Sequence, residues 1–339
     1  MINEIKKIPE TYQLLRKLSK INGPSINKEL LDRIMYKSEA LPPLGKEYWW
    51  LLFFGLKGQR PQQLMFLIFR KHGKKMLMNG KEIILKELGE NKFQGVTTGW
   101  FFDGEKLINL GDTNSITEIK NKKIISTIEG KELIFEGGFP KYKLRVGDII
   151  DLNIKKANYL IEKDGQGGLF PPLGVGWVNI FLKAEGLVWG QKFKGTAHLQ
   201  KVVGVIPPGP FHWARVFFED GSMLRVFCCK TGRESKIFFR KSFNFCNQKN
   251  KEIIKIDNPQ IKISKDKNLW IIEGKKKEEE FRLVLEAYAQ KPFKMKGGGS
   301  QTYIEYAVIP KDFMLKSKAR VITLAQLGKG VGTFEDAYW

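Results

Sequence analysis

Cysteine is scarce in this chain, and the few cysteines show no obvious pairing. The 339 residues include three, Cys228, Cys229 and Cys246, an odd number without a metal-binding spacing. Cys228 and Cys229 are neighbours in a strand-like segment, so their side chains should point to opposite faces and make poor partners for each other. We therefore expect reduced thiols and an intracellular protein.

Long hydrophobic runs are also missing. The first residues, MINEIKKIPETYQ, lack the apolar core of a signal peptide. The most apolar stretches, Tyr48 to Leu56 and Leu64 to Phe69, are too short to span a bilayer as helices. The sequence predicts a cytoplasmic protein with, at most, a peripheral contact to an anionic membrane surface.

Acidic residues are few relative to basic ones, since 58 Lys and Arg stand against 36 Asp and Glu, a net charge of +22. This excess serves either solubility or attraction to an anionic partner, and charge alone does not choose between them. Aromatic residues lie in dense apolar runs, as in a core, whereas an RNA-binding sheet displays them among Lys and Arg on an open face. Nucleic acid is therefore an unfavoured partner.

Alternating strands and helices and a glycine-rich phosphate loop are absent, which argues against a nucleotide-binding fold. Short strand-like segments separated by turns recur from Phe93 onward, as in sandwiches and meandering barrels. The unbroken apolar runs Tyr48 to Phe54 and Leu64 to Phe69 predict strands covered on both faces. Only residues 1 to about 40 look helical, with one stripe at Tyr12, Leu14, Leu15 and Leu18 and a second at Leu30, Leu31, Ile34 and Met35, capped by Ser25 or Asn27.

These patterns predict an all-β chain of two consecutive β-barrel or β-sandwich modules behind a short N-terminal helical segment. We place a helical brace at residues 1–42, a first module at 43–195 and a second at 196–339. The turn-rich stretch Asp164 to Gly174 contains Leu169 and Phe170, so we interpret it as a rim loop rather than a linker.

The most distinctive motif begins with the polar strand Gly195 to Gly204. A proline-rich corner follows, then a strand containing Trp213 and Arg215, then an Asp-Gly turn at Asp220. This order resembles the central signature of the lipocalin-like carotenoid hydratase (hydroxyneurosporene synthase) and AttH-like superfamily. Gly328 to Tyr338, with Glu335, resembles the family's glycine-rich closing strand, and Tyr303 with Glu305 matches an earlier strand.

The resemblance implies two lipocalin-like (calycin) modules and an apolar ligand cavity in one module or at their interface. Families with this architecture include isoprenoid hydratases and natural-product cyclases. One departure concerns the chemistry: where hydratase-type members carry an acidic cluster, this chain has His198, Gln200 and Lys201, so the obvious proton donor is lost. If His198 and Gln200 point inward, the alternation of the strand predicts that Lys201 is exposed.

The candidate catalytic residues are His198, Gln200 and Glu335, because histidine passes protons near neutral pH and a buried carboxylate can hold one. Glu305, Glu335 and Asp336 are the carboxylates to examine for a raised pKa. Arg215 either stacks under an aromatic ring and pairs with Glu335, or lies outside. The candidate ligand-binding residues are Trp100, Trp177, Trp189, Trp213, Arg215, Tyr303 and Glu305; the tryptophans would stabilise a carbocation or simply fill a core.

The sequence thus points to a protein that binds an apolar, isoprenoid- or lipid-like molecule, with neither a metal nor a redox cofactor expected. It leaves open whether the protein is a hydratase or cyclase or a non-catalytic carrier. A third hypothesis is a basic β protein that binds nucleic acid. The sequence does not indicate an oligomeric state.

Overall fold

Two large antiparallel sheets dominate the computed structural model, which describes residues 26–168, 175–205, 210–232, 237–297, 300–317 and 320–338. The first sheet comprises β1 (Lys46–Gly55), β2 (Gln63–Lys71), β5 (Lys86–Gly89), β6 (Lys92–Phe102), β7 (Leu107–Lys120), β8 (Lys123–Ile128), β9 (Lys131–Gly138), β10 (Lys141–Val146), β11 (Ile150–Lys155), β12 (Lys163–Gly168), β13 (Val175–Val188) and β14 (Gln191–Gly204).

The second sheet is built mainly from the C-terminal half of the chain. It comprises β3 (Lys75–Met78), β4 (Lys81–Ile84), β15 (Phe211–Phe218), β16 (Met223–Lys230), β17 (Phe238–Asn247), β18 (Glu252–Asp257), β19 (Gln260–Asp266), β20 (Leu269–Lys276), β21 (Glu279–Lys296), β22 (Ser300–Ser317), β23 (Arg320–Thr323) and β24 (Gly330–Tyr338). Within the described ranges the helices are α1 (Lys28–Met35) and the single turn α2 (Leu324–Leu327).

The first sheet closes into a barrel. Its strands follow the order β11-β10-β9-β8-β7-β6-β2-β1-β14-β13, and β11 pairs back onto β13 to complete the ring. Barrel pairing of β14 continues to Gly204, so the division predicted between residues 195 and 196 falls inside this strand. The interior is a continuous apolar core that includes Trp49, Phe66 and Phe135.

Helix α1 lies against this core. Its N-cap is Asn27, whose side-chain oxygen accepts a hydrogen bond from the Leu30 amide at 2.8 Å, and Leu31, Ile34 and Met35 are buried in the barrel core. The predicted second helix and its packing on a β core are confirmed. The stripe at Tyr12 to Leu18 lies outside the described residues. Among those residues, no helix combines the length and apolar character needed to cross a bilayer.

The second sheet curls without closing. Its order is β18-β17-β16-β15-β24-β22-β21-β20-β19, and no ladder joins β18 to β19 in the part of the chain described, although only Asn258 and Pro259 separate them. Its concave face holds a second apolar core with Phe243, Phe281 and Phe313. The all-β prediction with two consecutive lipocalin-like modules is confirmed.

A third apolar cluster joins the modules; we call this layer the seam. It is formed by outward-facing barrel residues such as Leu52, Phe54 and Phe181, packed against residues of the second sheet such as Phe217 and Tyr303. The ring centroids of Phe54 and Phe217, for example, lie 5.0 Å apart. β1 therefore contributes alternately to the barrel core and to the seam, which confirms the prediction of strands covered on both faces.

Two local expectations were wrong. Residues 164–168 of the predicted rim loop belong to strand β12, which pairs with β13, while residues 169–174 lie outside the described residues. Lys201 is completely buried rather than exposed. It points into the barrel, where its ammonium group lies 2.8 Å from Glu47 and 4.4 Å from the ring centroid of Trp49.

Candidate functional site

The seam contains a buried polar cluster as well as apolar residues. On the barrel side, Asn179 of β13 lies opposite Gln200 of β14, and Phe181 lies opposite His198. Because side chains alternate along a strand, all four face outward when Lys201 faces the barrel interior. His198 and Gln200 therefore point away from the barrel and towards the second sheet.

Asn179 organises the barrel side of this cluster. Its side-chain oxygen lies 2.9 Å from Nε2 of His198 and accepts a hydrogen bond of 2.9 Å from the Gln200 amide. Its own amide donates to Asp164 at 2.6 Å, and Asp164 in turn pairs with Arg225 of the second sheet at 2.5 Å. The chain of polar contacts thus crosses from one module to the other.

His198 is held as a neutral imidazole. Burial, together with the positive charges of Arg215 and Arg225, lowers its pKa well below the usual value. Arg215 lies 3.2 Å from Nδ1 and can only donate, so Nδ1 accepts and the ring proton sits on Nε2, facing Asn179. His198 is therefore uncharged near neutral pH, and its ring bridges Asn179 and Arg215.

Arg215 takes the first of the two positions considered for it. Its guanidinium group lies 4.5 Å from the ring centroid of Trp213 and forms an ion pair with Glu335 inside the seam. Trp213 and Glu335 are opposite each other in the pairing of β15 with β24. The ion pair thus joins two neighbouring strands, with Arg215 on β15 and Glu335 on β24.

Glu305 of β22 differs from Asp164 and Glu335, the ion-paired carboxylates of the seam. It is fully buried, and neither carboxyl oxygen has a hydrogen-bond partner among the described residues. It lies directly opposite Glu335 on one side and Lys291 on the other, yet the Lys291 ammonium donates instead to Asn109 at 2.7 Å. Burial raises the pKa of Glu305 to about 7, and the charge of Arg215 and the Trp100 indole N–H, which is near the carboxyl but outside hydrogen-bonding geometry, offset only part of that rise. At neutral pH this group holds a proton much of the time.

Other polar groups near Glu305 also lack partners. Buried side-chain atoms without a hydrogen bond occur on Thr98, Trp100, Arg215 (Nε), Tyr303 and Thr333, all on the faces that form the seam. Native proteins pair almost all buried polar atoms, so a concentration of unpaired ones calls for an explanation, and a ligand-binding or catalytic role is one. These groups can donate or accept hydrogen bonds to a molecule held in the seam.

Half-buried aromatic rings continue the seam beyond Glu305. The ring centroids of Trp177 and Trp213 are 6.1 Å apart, and Phe227 lies 5.5 Å from Trp213. On the barrel side Trp50 lies 5.3 Å from Tyr303. We call the group Trp50, Trp177, Trp213 and Phe227 the aromatic mouth, because these rings are only partly covered while Tyr303 and Glu305 behind them are buried.

The structure brings together most of the residues singled out from the sequence. The seam gathers His198, Gln200, Arg215, Glu305, Glu335, Tyr303, Trp100, Trp177 and Trp213. Trp189 lies elsewhere, at the turn between β13 and β14, where its ring stacks on Phe101 with centroids 5.1 Å apart.

Sequence reasoning missed Asn179, Asp164 and Arg225. Asn179 could have been found, because it stands between Trp177 and Phe181 at the two-residue spacing that places all three on one strand face. Asp164 was hidden in a stretch interpreted as a loop. Arg225 looks like any solvent-facing strand residue, since its partner Asp164 is 61 residues away in the chain.

Solved structures share this architecture. A crystal structure of an AttH protein from Nitrosomonas europaea superposes with a TM-score of 0.53, covering 86% of this chain and 91% of that chain at 12% identity. CghA in complex with Sch210972 gives 0.51, covering 93% and 94% at 9% identity, and CghA alone gives 0.51, covering 94% and 95% at 9% identity. No protein-family model and no curated protein matches the sequence.

The fold therefore defines a lipocalin-like β protein with two modules. Within that class it is the fold of the AttH protein and CghA, as the motif around Trp213 predicts. At these identities the similarity establishes the fold alone.

Proposed function

We propose that the protein binds an apolar, isoprenoid- or lipid-like molecule in the seam and acts on it as a hydratase or cyclase without a redox cofactor. One observation carries the proposal: Glu305 is a buried, unpaired carboxyl whose pKa is raised to about 7. Buried acids tuned in this way are general acids in many active sites. The complex of CghA with Sch210972 supports the proposal, since that neighbour of the same fold holds an organic molecule.

The first chemical step would be protonation of an alkene by Glu305. The proton of the carboxylic acid forms a new C–H bond with one alkene carbon, and the other carbon becomes a cation. The Trp213 and Trp100 rings can face that cation, and Glu335, held as an anion by Arg215, balances its charge.

The second step decides between the two reaction types. In a hydratase, a water oxygen bonds to the cation and the surplus proton of that water returns to the Glu305 carboxylate. In a cyclase, a second double bond of the same molecule attacks, and the proton lost from the resulting cation returns to Glu305. Either way the carboxyl group is regenerated and no electrons leave the substrate.

The barrel interior is not the site we propose. Its core is filled by aromatic side chains and by α1, and its charged residues are paired with one another. The seam instead combines apolar walls with unpaired polar atoms, as ligand sites do.

The test begins with mass spectrometry of an organic extract of the purified protein. Acyclic terpene alcohols and carotenes are then incubated with the wild type, with Glu305→Gln and with Glu132→Gln, an exposed carboxylate on β9 that serves as the control. Heavy-oxygen water reveals hydration as a labelled product, and cyclisation gives an isomer of unchanged mass.

We expect Glu305→Gln to keep ligand binding and to lose about a hundredfold or more in turnover, as removal of a general acid does. Wild-type turnover should fall as the pH rises through about 7, because the acid form of Glu305 is then depleted. Binding without product in the wild type would identify a carrier instead, and turnover in Glu305→Gln equal to that of wild type would exclude Glu305 as the acid.

A further inference from the structure

At the aromatic mouth lies an arginine that has no carboxylate partner among the described residues. Arg240 of β17 is opposite Cys229 of β16, and its guanidinium carbon is 5.9 Å from the ring centroid of Trp177 on the barrel. The other two arginines of the seam are neutralised, Arg215 by Glu335 and Arg225 by Asp164. No carboxylate among the described residues pairs with Arg240, which is only half-buried.

The aromatic mouth connects Arg240 to Glu305. Trp177, beside Arg240, is followed by Trp213, whose ring covers Arg215, and the Arg215–Glu335 pair adjoins Glu305 across β24 and β22. In the sheet order β17-β16-β15-β24-β22, Arg240 and Glu305 are four strands apart. At about 4.8 Å per strand, the path along the sheet between the two backbone positions is about 19 Å.

We propose that the ligand is amphipathic, with an anionic end group, a carboxylate or a phosphate, bound by Arg240 and an apolar chain that reaches along the aromatic mouth to Glu305. This inference rests on the proposed function and names the substrate class for the same site. The planar guanidinium offers two parallel N–H donors, which match the two oxygens of either anion. The Trp177 ring, with its centroid 5.9 Å from the guanidinium carbon, lies within the range of a cation–π contact with Arg240.

The distance between Arg240 and Glu305 sets a minimum length for the ligand. A chain that is too short cannot place a double bond at Glu305 while its head group stays on Arg240. Within a series of geranyl, farnesyl and geranylgeranyl compounds, the two longer chains should therefore bind with head and tail engaged together, and the geranyl compounds should lose that advantage.

Binding is measured by quenching of tryptophan fluorescence with farnesol, farnesoic acid and farnesyl monophosphate, and with the geranyl and geranylgeranyl counterparts. The variants are Arg240→Met, Arg240→Lys and Lys262→Met. Lys262 is an exposed cation on β19, so its replacement removes the same charge from the protein away from the mouth. Circular dichroism of each variant confirms that it is folded.

We expect the acid or the phosphate to bind about ten- to a hundredfold more tightly than the alcohol, as for a hydrogen-bonded charge pair. That advantage should vanish in Arg240→Met, shrink in Arg240→Lys and persist in Lys262→Met. Whichever anion shows it, carboxylate or phosphate, identifies the head group.

Equal affinity for alcohol and both anions, or an advantage that survives Arg240→Met, would overturn the assignment of Arg240 while leaving Glu305 and the seam in place. Failure of every isoprenoid to bind would instead contradict the proposed function itself. The two failures are therefore distinguishable in one titration series.

Discussion

Two buried carboxylates in this protein have opposite surroundings. Glu47, inside the barrel, lies 2.8 Å from both Lys201 and Arg70 and accepts a hydrogen bond from Ser38. Burial alone would raise its pKa, but Lys201 and Arg70 lower it below the usual value. Glu305, in the seam, has no such partners and its pKa is raised to about 7.

The polar groups around Glu47 bind one another and stabilise the fold, whereas those around Glu305 remain available to a ligand. The groups around Glu47 bind one another and also hold the segment after α1, because Arg70 and Lys201 donate to the carbonyl groups of Glu39 and Lys37. Nothing in that cluster is left for a ligand. Around Glu305 the polar groups are buried without hydrogen-bond partners among the described residues, which costs stability and leaves these groups able to bind a ligand.

The largest effect on stability should come from removing the charge of Glu47 from the ion-paired cluster inside the barrel. Glu47→Gln leaves Lys201 buried without its counter-charge, and we expect the free energy of unfolding to fall by about 3–5 kcal/mol in urea titrations. Glu82→Gln, which breaks the exposed pair with Lys75, should cost less than about 1 kcal/mol. Equal losses in the two variants would show that the barrel cluster does not stabilise the fold.

A smaller effect on the free energy of unfolding is expected at Glu305, whose carboxyl lacks a hydrogen-bond partner among the described residues, and here removing the carboxylate should stabilise the protein. Between pH 4.5 and about pH 7, Glu305 keeps its proton in the folded protein but has released it in the unfolded chain. The free energy of unfolding therefore falls as pH rises through this interval, by about 3 kcal/mol from this group, and the contribution present at lower pH is lost above about 7.

Glu305→Gln should remove this slope and be more stable than the wild type at about pH 8, measured by urea titration at several pH values. Glu335→Gln is the matched control on the facing strand: it leaves Arg215 without a counter-ion and should destabilise the protein at every pH. If the slope persists in Glu305→Gln, Glu305 is not the group with the raised pKa.

The smallest effect is expected at Asn179, where the polar groups of the seam are hydrogen-bonded to one another. Asn179→Leu leaves His198, Gln200 and Asp164 without their shared partner, and we expect a loss of about 1–3 kcal/mol in thermal or urea unfolding. Asn153→Leu, at an exposed position of β11, should change stability by less than about 0.5 kcal/mol. Indistinguishable variants would mean that the polar chain across the seam is not coupled to folding.

Much of the fold could be predicted from the sequence because its signals are local. The apolar run Tyr48 to Phe54 indicated a strand covered on both faces, and Asn27 ahead of a helical stripe indicated a capped helix. The strand around His198 also showed that His198 and Gln200 share a face. Each of these follows from neighbouring residues alone.

What could not be predicted depends on partners far away in the chain. Alternation along β14 places Lys201 and His198 on opposite faces of the strand, but it does not show that both faces are buried. Lys201 can be buried because Glu47, 154 residues earlier in the sequence, supplies its counter-charge. The contrast between Glu305 and Glu335 has the same origin. Both are glutamates in apolar strands, and only the fold gives Arg215 to one of them.

The open side of the second sheet has a consequence for how copies of the protein meet. β18 and β19 end the sheet with backbone groups that no neighbouring strand of the sheet covers, and such edges readily pair with another molecule. Here the edges carry the exposed lysines Lys255, Lys262 and Lys265, and Pro259 between them lacks an N–H donor. Part of the net charge of +22 thus stands where it hinders edge-to-edge aggregation, by electrostatic repulsion between identical strands.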